Sequence, residues 1–281
     1  MIKTARGRVT ALIIILAVIC AVITAVVASS GTDGAREQKP YGVFLGINRD
    51  QISELDEYKT VVIEPEEFTK ADVAKLRDSG KVVYAYLNIG AVENYRDYYD
   101  EYKSYTLGVY EDWPDERWVD VSKPEWRDFI AGTLAKKYAG YGYDGFFLDN
   151  ADVYYHYKTD AIYEGLCDIL EKLSGYDVDL VINGGDAFVT RAMKDGKAEG
   201  LIDAVNQETV FTSIDFENKT YGRQDPDETE YFESYLENVR SHDIDVYLLE
   251  YGADRKLAKK IGRYCDRHDY KWYNAKSLDL K

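Results

Sequence analysis

From Tyr41 onward the chain alternates short apolar runs with stretches that carry helical spacing. The apolar runs are rich in Val, Ile, Phe and Tyr, residue types that suit a buried, pleated surface. Eight of them predict strands: 41–47 (YGVFLGI), 60–64 (TVVIE), 81–89 (KVVYAYLNI), 144–150 (DGFFLDN), 179–184 (DLVING), 202–208 (IDAVNQE), 244–250 (IDVYLLE) and 270–274 (YKWYN). Between them, Thr69 with Asp72 resembles a capping box, Val73 and Leu76 share a face, and Gly80 closes the segment. Ser122 and Pro124 begin another helix, striped by Trp126, Phe129, Ile130, Thr133, Leu134 and Tyr138. Similar stripes run through Ile162, Leu166 and Leu173, through Tyr231, Tyr235 and Val239, and through Leu257, Ile261 and Cys265.

Alternating strands and helices imply a parallel sheet, because each return to the same edge needs a crossover. Eight such units after Tyr41 predict an α/β fold, a closed (β/α)8 or TIM barrel of about 240 residues. A doubly wound open sheet is the rival architecture. It needs fewer strands and often opens on a Gly-rich turn, which LGINRD (45–50) is not.

The beginning of the chain breaks the pattern. Residues 10–28 form an uncharged run of 19 residues that follows Lys3, Arg6 and Arg8. That length and those flanks predict that 1–28 is a cleaved signal peptide or an uncleaved N-terminal membrane anchor. Basic residues ahead of the run keep the N-terminus inside, so the remainder is expected to be extracytoplasmic, secreted or attached to the membrane through 10–28. Small polar residues at 29–39 read as a linker, and 40–281 as the barrel domain.

Charge narrows the functional classes. The formal net charge is −16, and −19 once the three basic residues of 1–28 are left out. A nucleic-acid binder needs a basic face, so the charge argues against that class; an acidic surface either attracts a cationic partner or merely keeps the protein apart from its neighbours. Cys167 and Cys265, both on expected helices, read as free thiols. Neither they nor the three histidines show metal-ligand spacing, so no metal and no cofactor is expected, and nothing points to a protein partner.

The fourth strand raises the chemical question. Phe146, Phe147 and Leu148 are built for a dry interior, yet the run stops on Asp149 and Asn150, with Asp152 just beyond. Acids are costly to bury unpaired. In a barrel, however, strand ends and the loops after them form the working face. Alternation gives Gly145, Phe147 and Asp149 one direction, which places Asp149 at the mouth. Other strands end in the same way, on Glu64, Asn183, Glu208, Glu250 with Tyr251, and Asn274. No histidine stands at a strand end and no Gly-x-Ser-x-Gly elbow occurs, which removes the usual triads. Converging carboxylates leave two-carboxylate hydrolysis of glycosides. The long segment 90–121, with Tyr95, Tyr98, Tyr99, Tyr102, Tyr105, Tyr110, Trp113 and Trp118, supplies either sugar-stacking faces or a small core of its own.

Four segments carry a family resemblance: AYLNIGAVENYRDYY (85–99), WPDERWVDVSKPEWRDFI (113–130), GYDGFFLDNADVY (142–154) and NQETVF (206–211). In order, and over about Tyr41 to Lys276, they resemble glycoside hydrolase family 114, the endo-α-1,4-polygalactosaminidases. The resemblance implies an endo-acting enzyme on α-1,4-linked galactosamine-rich exopolysaccharide, a cationic polymer when deacetylated, working with retention of configuration. It assigns Asp149 as nucleophile and Glu208 as acid/base. Tyr86, Asn88, Glu93, Arg96, Asn150, Asp152, Asn183, Glu250, Tyr251 and Asn274 are the expected substrate-binding residues. A non-catalytic sugar-binding barrel and a hydrolase of a different amino-sugar polymer remain as alternatives.

Overall fold

A computed structural model describes residues 38–281. The expected signal or anchor, 1–28, and most of the expected linker lie outside the described residues. Among the described residues no helix is long and apolar enough to cross a membrane.

Eight parallel strands form one sheet: β1 (Lys39–Phe44), β2 (Tyr58–Ile63), β3 (Val82–Asn88), β7 (Gly145–Asp149), β8 (Asp179–Asn183), β9 (Ala204–Glu208), β12 (Asp245–Tyr251) and β13 (Lys271–Ala275). Each coincides with an expected strand to within three residues at either end. Neighbours in space follow chain order, and β13 lies against β1, which brings the sheet into a nearly closed barrel. Helices separate successive strands as the crossover rule demands. The intervening numbers belong to small insertions. β4 (Ala91–Glu93), β5 (Thr106–Val109) and β6 (Glu116–Val119) make an antiparallel sheet after β3, and β10 (Thr212–Asp215) and β11 (Thr220–Arg223) a hairpin after β9.

Local chemistry sets the helix starts. Thr69 and Asp72 form the expected capping box ahead of helix Lys70–Asp78. Asp225 and Asp254 cap helices Pro226–Arg240 and Arg255–His268 by a simpler, one-way bond, each side chain accepting a first-turn N–H. The helix expected after Ser122 runs over 124–141 and passes through a π-helical stretch at Ile130–Ala135.

Where the expected segment 90–121 folds into β4–β6, most of its aromatics turn inward. Tyr98 and Tyr102 pack with Phe129, and Tyr110 stacks on Trp118 with ring centres 4.3 Å apart. Trp126 anchors this insertion to the barrel. It is fully buried, and its indole N–H donates to the Ile89 carbonyl at 2.8 Å, just past the end of β3. Cys167 and Cys265 are both buried and unbridged.

Replacing Trp126 by Phe removes that donor and leaves a void beside a buried carbonyl. The variant is expected to lose about 2–4 kcal/mol of folding free energy, read from the midpoint of urea denaturation.

Candidate active site

The pleat sorts side chains between the barrel interior and the helical layer, and it brings the ends of three neighbouring strands together. On β7 and β9 the last inward residues are Asp149 and Glu208; on β8 the last is Asn183. The Asn183 side-chain amide donates to both acids, to Asp149 Oδ1 at 2.9 Å and to Glu208 Oε1 at 2.8 Å. Those two oxygens are therefore no more than about 5.7 Å apart, the two bonds laid end to end.

A chain of hydrogen bonds beneath fixes which way this amide faces. The Asn206 amide donates to Asn183 Oδ1 at 2.6 Å, and the Tyr41 hydroxyl donates to Asn206 Oδ1 at 3.0 Å. With its carbonyl committed downward, Asn183 must present its NH2 to the two acids. The remaining acid oxygens are held by phenols. Tyr86 donates to Asp149 Oδ2 at 2.8 Å, and Tyr251 donates to Glu208 Oε2 at 2.7 Å. The backbone N–H of Asn150 adds a third donor to Asp149, at 2.9 Å.

Asn150 follows with φ 66°, a left-handed conformation that Asn tolerates better than most residues. Gly90 packs against the Asn150 carbonyl so closely that a Cβ there would have no room. The turn that follows Asp149 is thus clamped from two sides.

Burial sets the protonation pattern. It raises the Asp149 pKa, against the hydrogen bonds from Asn183, Tyr86 and Asn150 that lower it. Glu208 is pushed up to about 6, first by burial and then by the charge of Asp149. Asp152 reaches about 7 through burial and the charges of Asp149 and Asp186, although the Gly185 N–H donates to it at 3.1 Å.

These groups line an open cleft of about 640 Å³ at the C-terminal ends of the strands. Of the expected residues, Tyr86, Glu93, Arg96, Asn150, Asp152, Asn183 and Tyr251 join Asp149 and Glu208 there. Arg96 is nearly enclosed and shares its guanidinium among Glu64, Glu66 and Glu93, at 2.9–3.1 Å for the shortest contact to each. Tyr95, Tyr110 and Trp113 are the aromatics of the insertion that reach the cleft.

Three expected residues do not. Glu250 cannot share a direction with its neighbour Tyr251, which takes the inward position. It is fully buried behind the sheet and accepts from the Phe211 and Thr212 N–H groups and the Thr212 hydroxyl, so it holds the turn into β10. Asn274 likewise clasps the Ala253 N–H and carbonyl at 2.9 and 3.0 Å. Asn88 does point inward but is buried, accepting from the Ala91 N–H and from the Asn150 amide.

One cleft residue lies inside the resemblance segment 113–130 with no spacing that singles it out. Glu116, at the start of β6, stands in the cleft wall and accepts at Oε2 from the Asn88 and Asn150 amides, both at 3.3 Å. Burial, and then the charges of Glu93 and Asp149, raise its pKa to about 8. Among the described residues no group of three or more His, Cys, Asp or Glu side chains is arranged to hold a metal ion.

Comparison with known proteins follows the same lines. The family model for glycoside-hydrolase family GH114 matches residues 35–276. No curated protein sequence matches the chain. Among solved structures, the glycoside hydrolase domain of PelA from Pseudomonas aeruginosa superposes with a TM-score of 0.73 at 18% identity, covering 86% of this chain and 95% of that one. Aspergillus fumigatus Ega3, in complex with galactosamine, gives 0.65 at 14% identity over 88% of this chain and 93% of its own. An α-galactosidase from Thermus thermophilus gives 0.58 at 11% identity, over 87% of this chain and 59% of the other.

The crowded carboxylates predict how stability responds to pH. Glu116, Asp152, Glu208 and Glu250 all bind protons more tightly folded than unfolded, with folded values of about 8, 7, 6 and 7. Their contribution is complete below about pH 4 and declines as pH rises to about 8. The thermal midpoint is expected to fall by about 5 °C or more between pH 5 and pH 8, and Glu116→Gln to flatten that slope, as read by calorimetry across the range.

Proposed function

The chain belongs to glycoside-hydrolase family GH114 and is a glycoside hydrolase, and from that premise we propose that it cleaves α-1,4-linked galactosamine-rich exopolysaccharide internally, outside the cytoplasm, with retention of configuration. The observation that carries this reading is the single Asn183 amide shared by Asp149 and Glu208, which keeps two of their oxygens within about 5.7 Å. Retaining glycosidases hold their two carboxyl groups about 5–5.5 Å apart, whereas inverting ones leave about 6.5–9.5 Å for a water.

Proton affinities favour the division of labour that the family resemblance implies. Asp149 carries three hydrogen-bond donors, which stabilise its ionised form, and serves as nucleophile. Glu208, with a pKa near 6, is the better proton store. In the first step Asp149 attacks the anomeric carbon, the glycosidic C–O bond breaks, and Glu208 protonates the departing oxygen. In the second step Glu208 takes a proton from water, whose oxygen displaces Asp149 from the same carbon and restores the original configuration. Tyr86 and Tyr251 hold the two acids in line throughout.

The substrate class rests on charge. Glu64, Glu93, Glu116, Asp149, Asp152 and Glu208 face the cleft, and Arg96 among them is already committed to carboxylates. Such a lining suits a polymer bearing ammonium groups. Secretion or surface attachment is supported by the apolar run 10–28 in the sequence.

Glu208→Gln is expected to lower kcat on de-N-acetylated galactosaminoglycan by about 10²–10⁴-fold while leaving binding of the polymer largely intact. The wild-type product formed first should be the α anomer, as followed by proton NMR; a β anomer would refute retention. Because Glu208 must start protonated, kcat/KM should decline as pH rises past about 6. That alkaline limb should disappear from the residual activity of the Gln variant.

A further inference from the structure

Glu116, like Glu64, Glu93 and Asp152, is a cleft acid that the two-carboxylate mechanism does not use. It belongs to β6 in the inserted sheet, 28 residues beyond Asn88 in sequence, yet the Asn88 and Asn150 amides both grip its Oε2. They turn the carboxylate so that its other oxygen is left over. Among the described residues no donor reaches Oε1, and this atom is not among the enclosed polar atoms that lack partners, so it opens to the cleft. Asn150 also ties Glu116 to the catalytic floor, since its backbone N–H donates to Asp149.

Among the described residues no cation pairs with the Glu116 carboxylate: Arg117, next in sequence, turns its guanidinium to the Pro114 and Glu116 carbonyls at 2.9 and 2.8 Å. Its electrostatic neighbours are the acids Glu93 and Asp149, together with the phenols of Tyr86, Tyr95 and Tyr110. Arg96, the basic residue of the cleft wall, is bound to Glu64, Glu66 and Glu93 instead. A half-buried carboxylate without a counter-charge is unfavourable, which is why its proton is held so firmly. A ligand cation placed at Oε1 reverses that balance, because an opposite charge at hydrogen-bond distance favours the ionised form.

Resting on the hydrolase reading above, we propose that Glu116 is the specificity-determining residue that recognises the 2-ammonium group of the sugar beside Asp149, through its open Oε1. The nitrogen on C2 is two bonds from the anomeric carbon that Asp149 attacks, so a carboxylate in the wall next to Asp149 can meet it. An N-acetyl group offers only a neutral amide N–H and a bulkier acyl arm at that point. Glu116 then makes the enzyme discriminate between deacetylated and acetylated residues, while Asp149 and Glu208 perform the cleavage.

The test uses the full chain carrying Glu208→Gln, so that ligands bind without being cleaved. Affinities for a short α-1,4-linked galactosamine oligomer and for its fully N-acetylated counterpart are measured by calorimetry, with and without Glu116→Gln. The second substitution is expected to weaken the amino-sugar oligomer by about ten- to a hundredfold and the acetylated oligomer by less than about threefold. Equal weakening of both, or of neither, would overturn the proposal. Should Glu116→Gln fail to fold, Glu116→Asp draws the carboxylate back by one methylene and must show the same preference for weakening the amino sugar. The unmodified chain is assayed in parallel: cleavage of galactosamine polymer with no effect at Glu116 leaves the hydrolase reading standing alone, whereas no cleavage of either polymer sinks both.

Discussion

One amide organises this active site. Asn183 donates to Asp149 and Glu208 at once, and it can do so only because Asn206 and Tyr41 have already claimed its carbonyl from below. The hydrogen bonds run upward from the packed barrel to its mouth, so the rigidity of the interior is passed to the two acids. Without that support, two neighbouring carboxylates in a desolvated cleft would repel and swing apart. The spacing of the two acids is therefore a property of the barrel floor as much as of the acids themselves.

The same crowding has an energetic cost, which the fold meets only in part. Behind the sheet Glu250 receives backbone and hydroxyl donors, and at the cleft wall Glu64 and Glu93 share Arg96. Even so, burial keeps the proton affinities of Glu250 and Glu64 raised. Within the cleft Glu116, Asp152 and Glu208 have no basic partner among the described residues, and their proton affinities are raised as well. Their incompletely compensated charge is what an arriving cation would find.

Most of the architecture was legible before any coordinates, because a strand buried on both faces must be written as a nearly continuous apolar run. The parity of GFFLD on β7 also put Asp149 at the mouth correctly. The same rule, applied to Glu250 and Tyr251, would have shown that adjacent residues of one strand cannot both face the cleft. What the sequence could not display was pairing between distant polar residues. The insertion at 90–121 breaks into strands of three and four residues, too short for any period to emerge. Glu116 acquires its surroundings only when β6 folds back over Asn88 and Asn150.

That fold-back separates the floor of the cleft from its wall. Asp149, Glu208 and the amides beneath them stand on barrel strands, whereas Glu116, Tyr95, Tyr110 and Trp113 arrive on an insertion between β3 and the helix that follows. The wall that meets a polymer can therefore be reshaped by changes at 90–121 that leave the hydrogen-bonded floor in place.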